Sequence, residues 1–112
     1  MTIEQQIEEI EVSIDEAKKA VELRDSILKL TKNKDFKKVI EENYFEKHAS
    51  RLVLLKADPN MQKEEEQKNI MDNINAIGHF RQYLRTVIQL GNQAERDIIS
   101  NEQAREEILA EA

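Results

Sequence analysis

Helix breakers are scarce in this chain, with one proline and two glycines in 112 residues. A sequence so poor in turn residues is restricted to a few long helices. The spacing of apolar residues agrees. In Ile70–Ala94 they fall at Ile70, Ile74, Ile77, Phe80, Leu84, Val87, Ile88 and Ala94. Steps of three and four lay them along one side of a helix, in a stripe too wide for a single partner to cover.

This pattern divides the chain into three segments. The first covers about residues 3–30 and is opened by Thr2 and Gln5, which have the form of a capping box. Ile3, Ile7, Ile10, Ile14, Ala17 and Val21 alternate by four and three, a narrow heptad seam that blurs at Ile27, Leu28 and Leu30. Such a seam calls for one or two partner helices, from this chain or another. The second segment, 34–57, has Asn33 as its expected N-cap and Phe36, Val39, Ile40, Tyr44, Leu52 and Leu55 on one face, widened by Phe45, Ala49 and Val53. Asp58-Pro59-Asn60 then marks a tight antiparallel turn, with Asp58 as the cap of the next helix. The third segment, 60–109, would be about 70 Å long if unbroken, against about 35 Å for the second. It either breaks near Gly91-Asn92 or runs on to meet the first segment or another subunit. Gly78 lies inside the strong helical pattern, and such a glycine is expected where another helix approaches closely, here opposite Phe45 or Ala49.

The fold class is therefore all-α: an antiparallel helical hairpin with an N-terminal coiled-coil-like helix, an elongated three-helix bundle forming one domain over residues 1–112. Hydrophobic residues make up 39% and charged residues 36%, a modest apolar supply that suits this form. The acidic N-terminus, MTIEQQIEEIE, does not read as a secretory signal, and the longest apolar run, Leu52–Leu55, is far too short for a membrane span.

Net charge is −6 and unevenly spread. Residues 1–16 carry six acids and no bases, residues 17–57 eleven bases against six acids, and residues 58–112 six bases against eleven acids. These blocks favour packing of the middle against the outer segments, or against neighbouring copies. The acidic total argues against a dedicated nucleic-acid binder, and no membrane contact is expected. The group Lys29, Lys32, Lys34, Lys37 and Lys38 around the first connection is a basic contact for phosphate or an acidic partner, weighed against a solvated loop. Arg81 and Arg85 flank Tyr83 and are expected to pair with Glu41, Glu42 or Glu46.

No motif carries chemistry. His48 and His79 lack the Glu-x-x-His and HExxH patterns of metal sites, and the serines sit in no glycine-flanked elbow. The chain has no cysteine. It reads as non-enzymatic, without catalytic residues, metal or cofactor. Its expected partner surface is the seam of Ile3, Ile7, Ile10, Ile14 and Val21, together with Ile98.

Two blocks, DFKKVIEENYFEKHASRLVLLKADPNMQ and AIGHFRQYLRTVIQLGNQAE, resemble a group of small helical proteins encoded by tailed bacteriophages and associated with virion structure and assembly. The resemblance spans about Asp35 to Glu95. It rests on the Phe36-to-Ile40 start, the Tyr44-Phe45 pair, the Asp58-Pro59 turn and the run from Ile77-Gly78 to Leu84-Arg85. It transfers no catalytic residues and implies a phage structural or virion-assembly protein, located in the virion or the host cytoplasm. Such a protein would work through self-association or contacts with other virion proteins. Two other classes stay open: a small acidic phage inhibitor of a host enzyme or defence complex, and a nucleic-acid-associated packaging factor.

Overall fold

The capping signals form as the sequence predicts. In the computed structural model, which describes all of Met1–Ala112, the Thr2 backbone N–H donates to Gln5 Oε1 (3.0 Å) and the Gln5 N–H returns a bond to Thr2 Oγ1 (3.1 Å). This closed box starts α1 (Ile3–Thr31). Asn33 Oδ1 accepts from the N–H groups of Asp35 and Phe36 and starts α2 (Lys34–Phe36). The chain continues through a π-type stretch (Lys37–His48) into α3 (Ala49–Ala57). Asp58 Oδ1 accepts from Asn60 N–H at 2.9 Å and opens a 3-10 turn (Pro59–Met61), and α4 (Glu64–Glu111) completes an all-α chain. No helix is long and apolar enough to cross a membrane.

The second segment departs from the expected regular α-helix. Over Lys37–His48 the backbone bonds are i→i+5, giving a wider turn than an α-helix, and π-type turns usually appear singly. The wider turn has a visible effect on side chains. Phe36, Ile40, Tyr44, Phe45, His48 and Ala49 are all at least half-buried, whereas Val39 is 57% exposed. Val39 therefore leaves the face on which α-helical spacing places it, and Val53, on α3, is exposed as well. Asn43 helps to hold the wide turn, its Nδ2 donating to the Lys38 carbonyl five residues back (2.5 Å).

Where the sequence reading has one domain, the chain's contacts gather into two compact units: residues 29–85, and residues 1–28 together with 86–112. Within the unit of residues 29–85, the turn at Asp58 folds α3 back against the start of α4. Leu52, Ile70 and Ile77 form its buried core, lined by Tyr44, Phe45, Ala49, Leu55, Met61 and Ile74. Tyr44 and Phe45, adjacent in sequence, both reach Phe80, with ring centroids 6.1 and 5.6 Å away. The turn is closed by two glutamines. Gln62 Nε2 donates to the Lys56 and Asp58 carbonyls, and Gln67 Nε2 to those of Lys56 and Met61, so carbonyls freed at the end of α3 find donors. Among the glutamates opening α4, which read as a solvated run, Glu66 is partly covered and its Oε2 is shielded without a hydrogen-bond partner.

In the other unit, α1 pairs with the C-terminal part of α4, which runs through Gly91 without a break. The seam of α1 is thus closed within the chain. Ile14 and Ile27 are buried, and Ile7, Ile10, Ala17 and Val21 half-buried. From α4 come buried Val87, Gly91 and Ala94 and half-buried Ile98 and Ile108, spaced by threes and fours. Among the six residues expected at a partner surface, Ile14 is buried within the chain, and Ile7, Ile10, Val21 and Ile98 are half-buried there. Of the six, only Ile3 is exposed.

Of the two glycines, Gly78 does not mark the helix crossing expected there, and Gly91, which reads from sequence as either a second close contact or a helix end, proves to be the close contact. A Cβ added at Gly78 meets nothing within 4 Å, because this residue lies on the exposed side of α4 and no helix crosses there. Gly91 is the close approach. A Cβ there would collide with the Arg24 Cβ and lie 2.8 Å from its Cγ and Cδ. Neither glycine has positive φ. Gly78→Ala is therefore expected to raise stability by about 0.5–1 kcal/mol, the helix-propensity gain alone. Gly91→Ala is expected to lower it by about 1–3 kcal/mol despite the same gain, since a Cβ cannot swing aside. Denaturant unfolding followed by circular dichroism checks both signs, and equal shifts would contradict the assignment.

Candidate functional site

Arg24 is the only charged residue buried by its surroundings, at 8% exposure, and it continues the seam in phase, three residues after Val21. Its aliphatic stem fills the hole left by Gly91, and its guanidinium emerges at the edge of the helix pair. There Nε and Nη2 each lie 3.0 Å from Asp25 Oδ1, while Nη1 donates to Asn92 Oδ1 (3.0 Å) and Glu95 Oε2 (2.8 Å). Hydrogen bonds to Glu95 and then Asp25 hold the guanidinium's pKa above its ordinary value, against a smaller opposing effect of burial. The arrangement uses most of the guanidinium's donors inside the chain, so it works as a clamp between α1 and α4 rather than as a ligand site.

The register that seats Arg24 on Gly91, extended in heptad steps, sets Val21 opposite Ala94 and Ala17 opposite Ile98. Each of these layers pairs a large with a small side chain. Further along, α1 supplies Ile14, Ile10 and Ile7 while α4 supplies Asn101, Arg105 and Ile108. Asn101 and Arg105 set polar residues against Ile14 and Ile10; Ile14 stays buried, and the seam loosens beyond it, at Ile10 and Ile7. Gln6, Glu9, Ile10, Ser13, Asn101 and Ile108 line a shallow groove of about 310 Å³ there. Glu9 and Ser13 also line a second hollow, on the outer side of α1, with Met1, Gln5, Glu8 and Val12. Met1, Ile3, Val12, Ile99 and Leu109 are exposed in this part of the unit. Around them, residues 1–16 and 97–112 carry eleven acids and one base. The site that geometry assembles is thus an acidic, partly apolar face with an unfilled groove.

The lysines Lys29, Lys32, Lys34, Lys37 and Lys38 are all exposed or half-exposed, and none lies within ion-pair distance of a carboxylate. Exposed Leu30 and Val39 bracket the last four of them in sequence. Arg81 and Arg85 do line one groove with Glu41, Phe45 and Glu46, but no pair closes to an ion pair. His48 is a helix-face contact, its ring stacked on Tyr44 (centroids 5.9 Å apart) and its Nδ1 2.7 Å from Arg51 Nη2. His79 is exposed. No group of three or more His, Cys, Asp or Glu residues is placed to hold a metal ion. On α3, Leu54 is 71% exposed and borders a hollow with Phe45, Ala49 and Val53.

Sequence reasoning missed Arg24, although a signal for it existed: it stands at a seam position, and Gly91 stands at one in α4. No family model matches the chain, and neither a curated protein nor a solved structure is similar to it.

A pKa raised by folding means that the guanidinium's contribution is full below its unfolded value and fades only as pH rises through the folded value. That window lies in strong alkali, so neutral pH never releases the clamp. Arg24→Met keeps a stem over Gly91 and removes the polar contacts. It is expected to melt below the wild type by a margin that stays constant between about pH 6.5 and 9. A margin that changes across this range in thermal scans would contradict the clamp's charge assignment.

Proposed function

We propose that this chain is a non-enzymatic structural or assembly protein of a tailed-phage virion, working through helix-to-helix protein contacts. The observation that carries the contact reading is the set of large apolar side chains exposed on the two helices at this end, Met1, Ile3, Val12, Ile99 and Leu109. Exposed apolar side chains on a helix pair with an unfilled groove are what a partner helix covers. The segregation of charge supports the same reading. The unit of residues 1–28 and 86–112 carries fourteen acids and five bases, while that of residues 29–85 carries nine acids and twelve bases. The virion assignment is carried separately, by the resemblance over Asp35–Glu95.

A second reading has one observation in its favour. The exposed acids of residues 1–16 and 97–112 suit an inhibitor that occupies a basic surface of a host enzyme or defence complex. The lysines of residues 29–38 work against it, because they interrupt a uniformly acidic surface.

Mass spectrometry of purified particles, with copy number, separates the two. A structural or assembly protein is expected in particles or their precursors at a fixed stoichiometry. Absence from both, together with recovery of the tagged chain bound to a host enzyme, would replace the first reading by the second.

A further inference from the structure

We propose that the open end of the α1–α4 pair docks the lysine-bearing connection, residues 29–39, of a second copy of the chain. This rests on the helix-contact reading above and names the partner of that same face.

The seam is incomplete at this end. Ile10, opposite Arg105, and Ile7, opposite Ile108, are only half-buried, and the groove beside them, lined by Glu9, Ser13 and Ile108, stays unfilled. The hollow on the outer side of α1 shares Glu9 and Ser13 with this groove, so one surface runs from Met1 and Val12 across to Ile10 and Ile108. An occupant must bring apolar side chains for the groove and positive charge for the acids of the two helix ends, of which Glu8 and Glu9 line the hollows.

The chain carries that combination itself. Residues 29–39 hold five lysines against the single acid Asp35, with Leu30 and Val39 exposed at either end. The π-type turn contributes directly by rotating Val39 out of the core face, so the side chain it exposes stands next to Lys37 and Lys38 in sequence. None of the five lysines is committed to an ion pair. The two surfaces are different parts of the chain, so each copy offers one acidic and one basic face to its neighbours.

The test uses the full purified chain in sedimentation velocity and light scattering, at about 10 mM and about 1 M salt, where the screening length falls from roughly 30 Å to roughly 3 Å. The wild type is expected to self-associate with rising concentration at low salt and to shrink toward monomer at high salt. E8K/E9K on the acidic face and K34E/K37E on the basic face alter exposed residues only. Each alone is expected to weaken association by on the order of tenfold or more. Mixed in equal amounts, the two are expected to associate again, since each restores the complement the other lost. A wild type that is monomeric at every concentration and salt overturns the proposal, whatever the variants do. So does association that neither reversal weakens, or a mixture that fails to recover. Absence from virions leaves this result untouched, and a monomeric wild type leaves the particle result untouched, so the two readings fail separately.

Discussion

The pairing of α1 with the end of α4 depends on the fit of Arg24 over Gly91. A long side chain in a two-helix seam forces the backbones apart unless the facing position is empty, and only glycine lacks the Cβ that would collide with Arg24. The neighbouring layers keep the same complementarity in both directions, Val21 against Ala94 and Ala17 against Ile98. A slip of one heptad would set Arg24 against Leu84 or Ile98 and take its guanidinium away from Asn92 and Glu95. One residue therefore fixes the register of a seam whose isoleucines alone would tolerate several. The polar partners add direction to what is otherwise a stem packed in a hole, since Asp25 and Glu95 are both more than half exposed and hold the charge at the rim.

Much of the local structure was legible in the residues because each signal acts over a single turn. Thr2 with Gln5, Asn33, and Asp58 before Pro59 each satisfy free backbone N–H groups that any helix start presents, so they form regardless of distant packing. The glycines were less legible for the opposite reason. Whether Gly78 or Gly91 marks a close approach depends on which helix faces it, and both stand in strong helical pattern. Phase decides between them, since Gly91 lies between Val87 and Ala94 at seam spacing while Gly78 follows Ile77 and turns outward. Arg24 was overlooked because a charged residue reads as the end of an apolar seam, even when it holds the next position in phase.

The π-type stretch was not legible from periodicity tuned to an α-helix. Phe36, Ile40, Tyr44 and Phe45, and Ala49 step by four and five, and a rule that expects three and four assigns Val39 and Val53 to the core instead. The wider turn lets Tyr44 and Phe45 share Phe80, at the expense of placing valine in water. The open end of the α1–α4 pair arises from a similar compromise. Beyond Ile14, where Arg105 takes a seam position, Ile10 and Ile7 are only half-buried, and exposed apolar side chains stand in segments rich in acid.

The central claim, that α1 closes on α4 within one chain in the register set by Arg24 and Gly91, can be read directly by disulfide trapping, because the chain has no cysteine of its own. Cysteines replacing Val21 and Ala94 are expected to oxidise readily to a monomer carrying an internal bridge, whereas cysteines replacing Val21 and Arg105, three turns out of register, are not. Bridging only between chains, or equal bridging by both pairs, would contradict it.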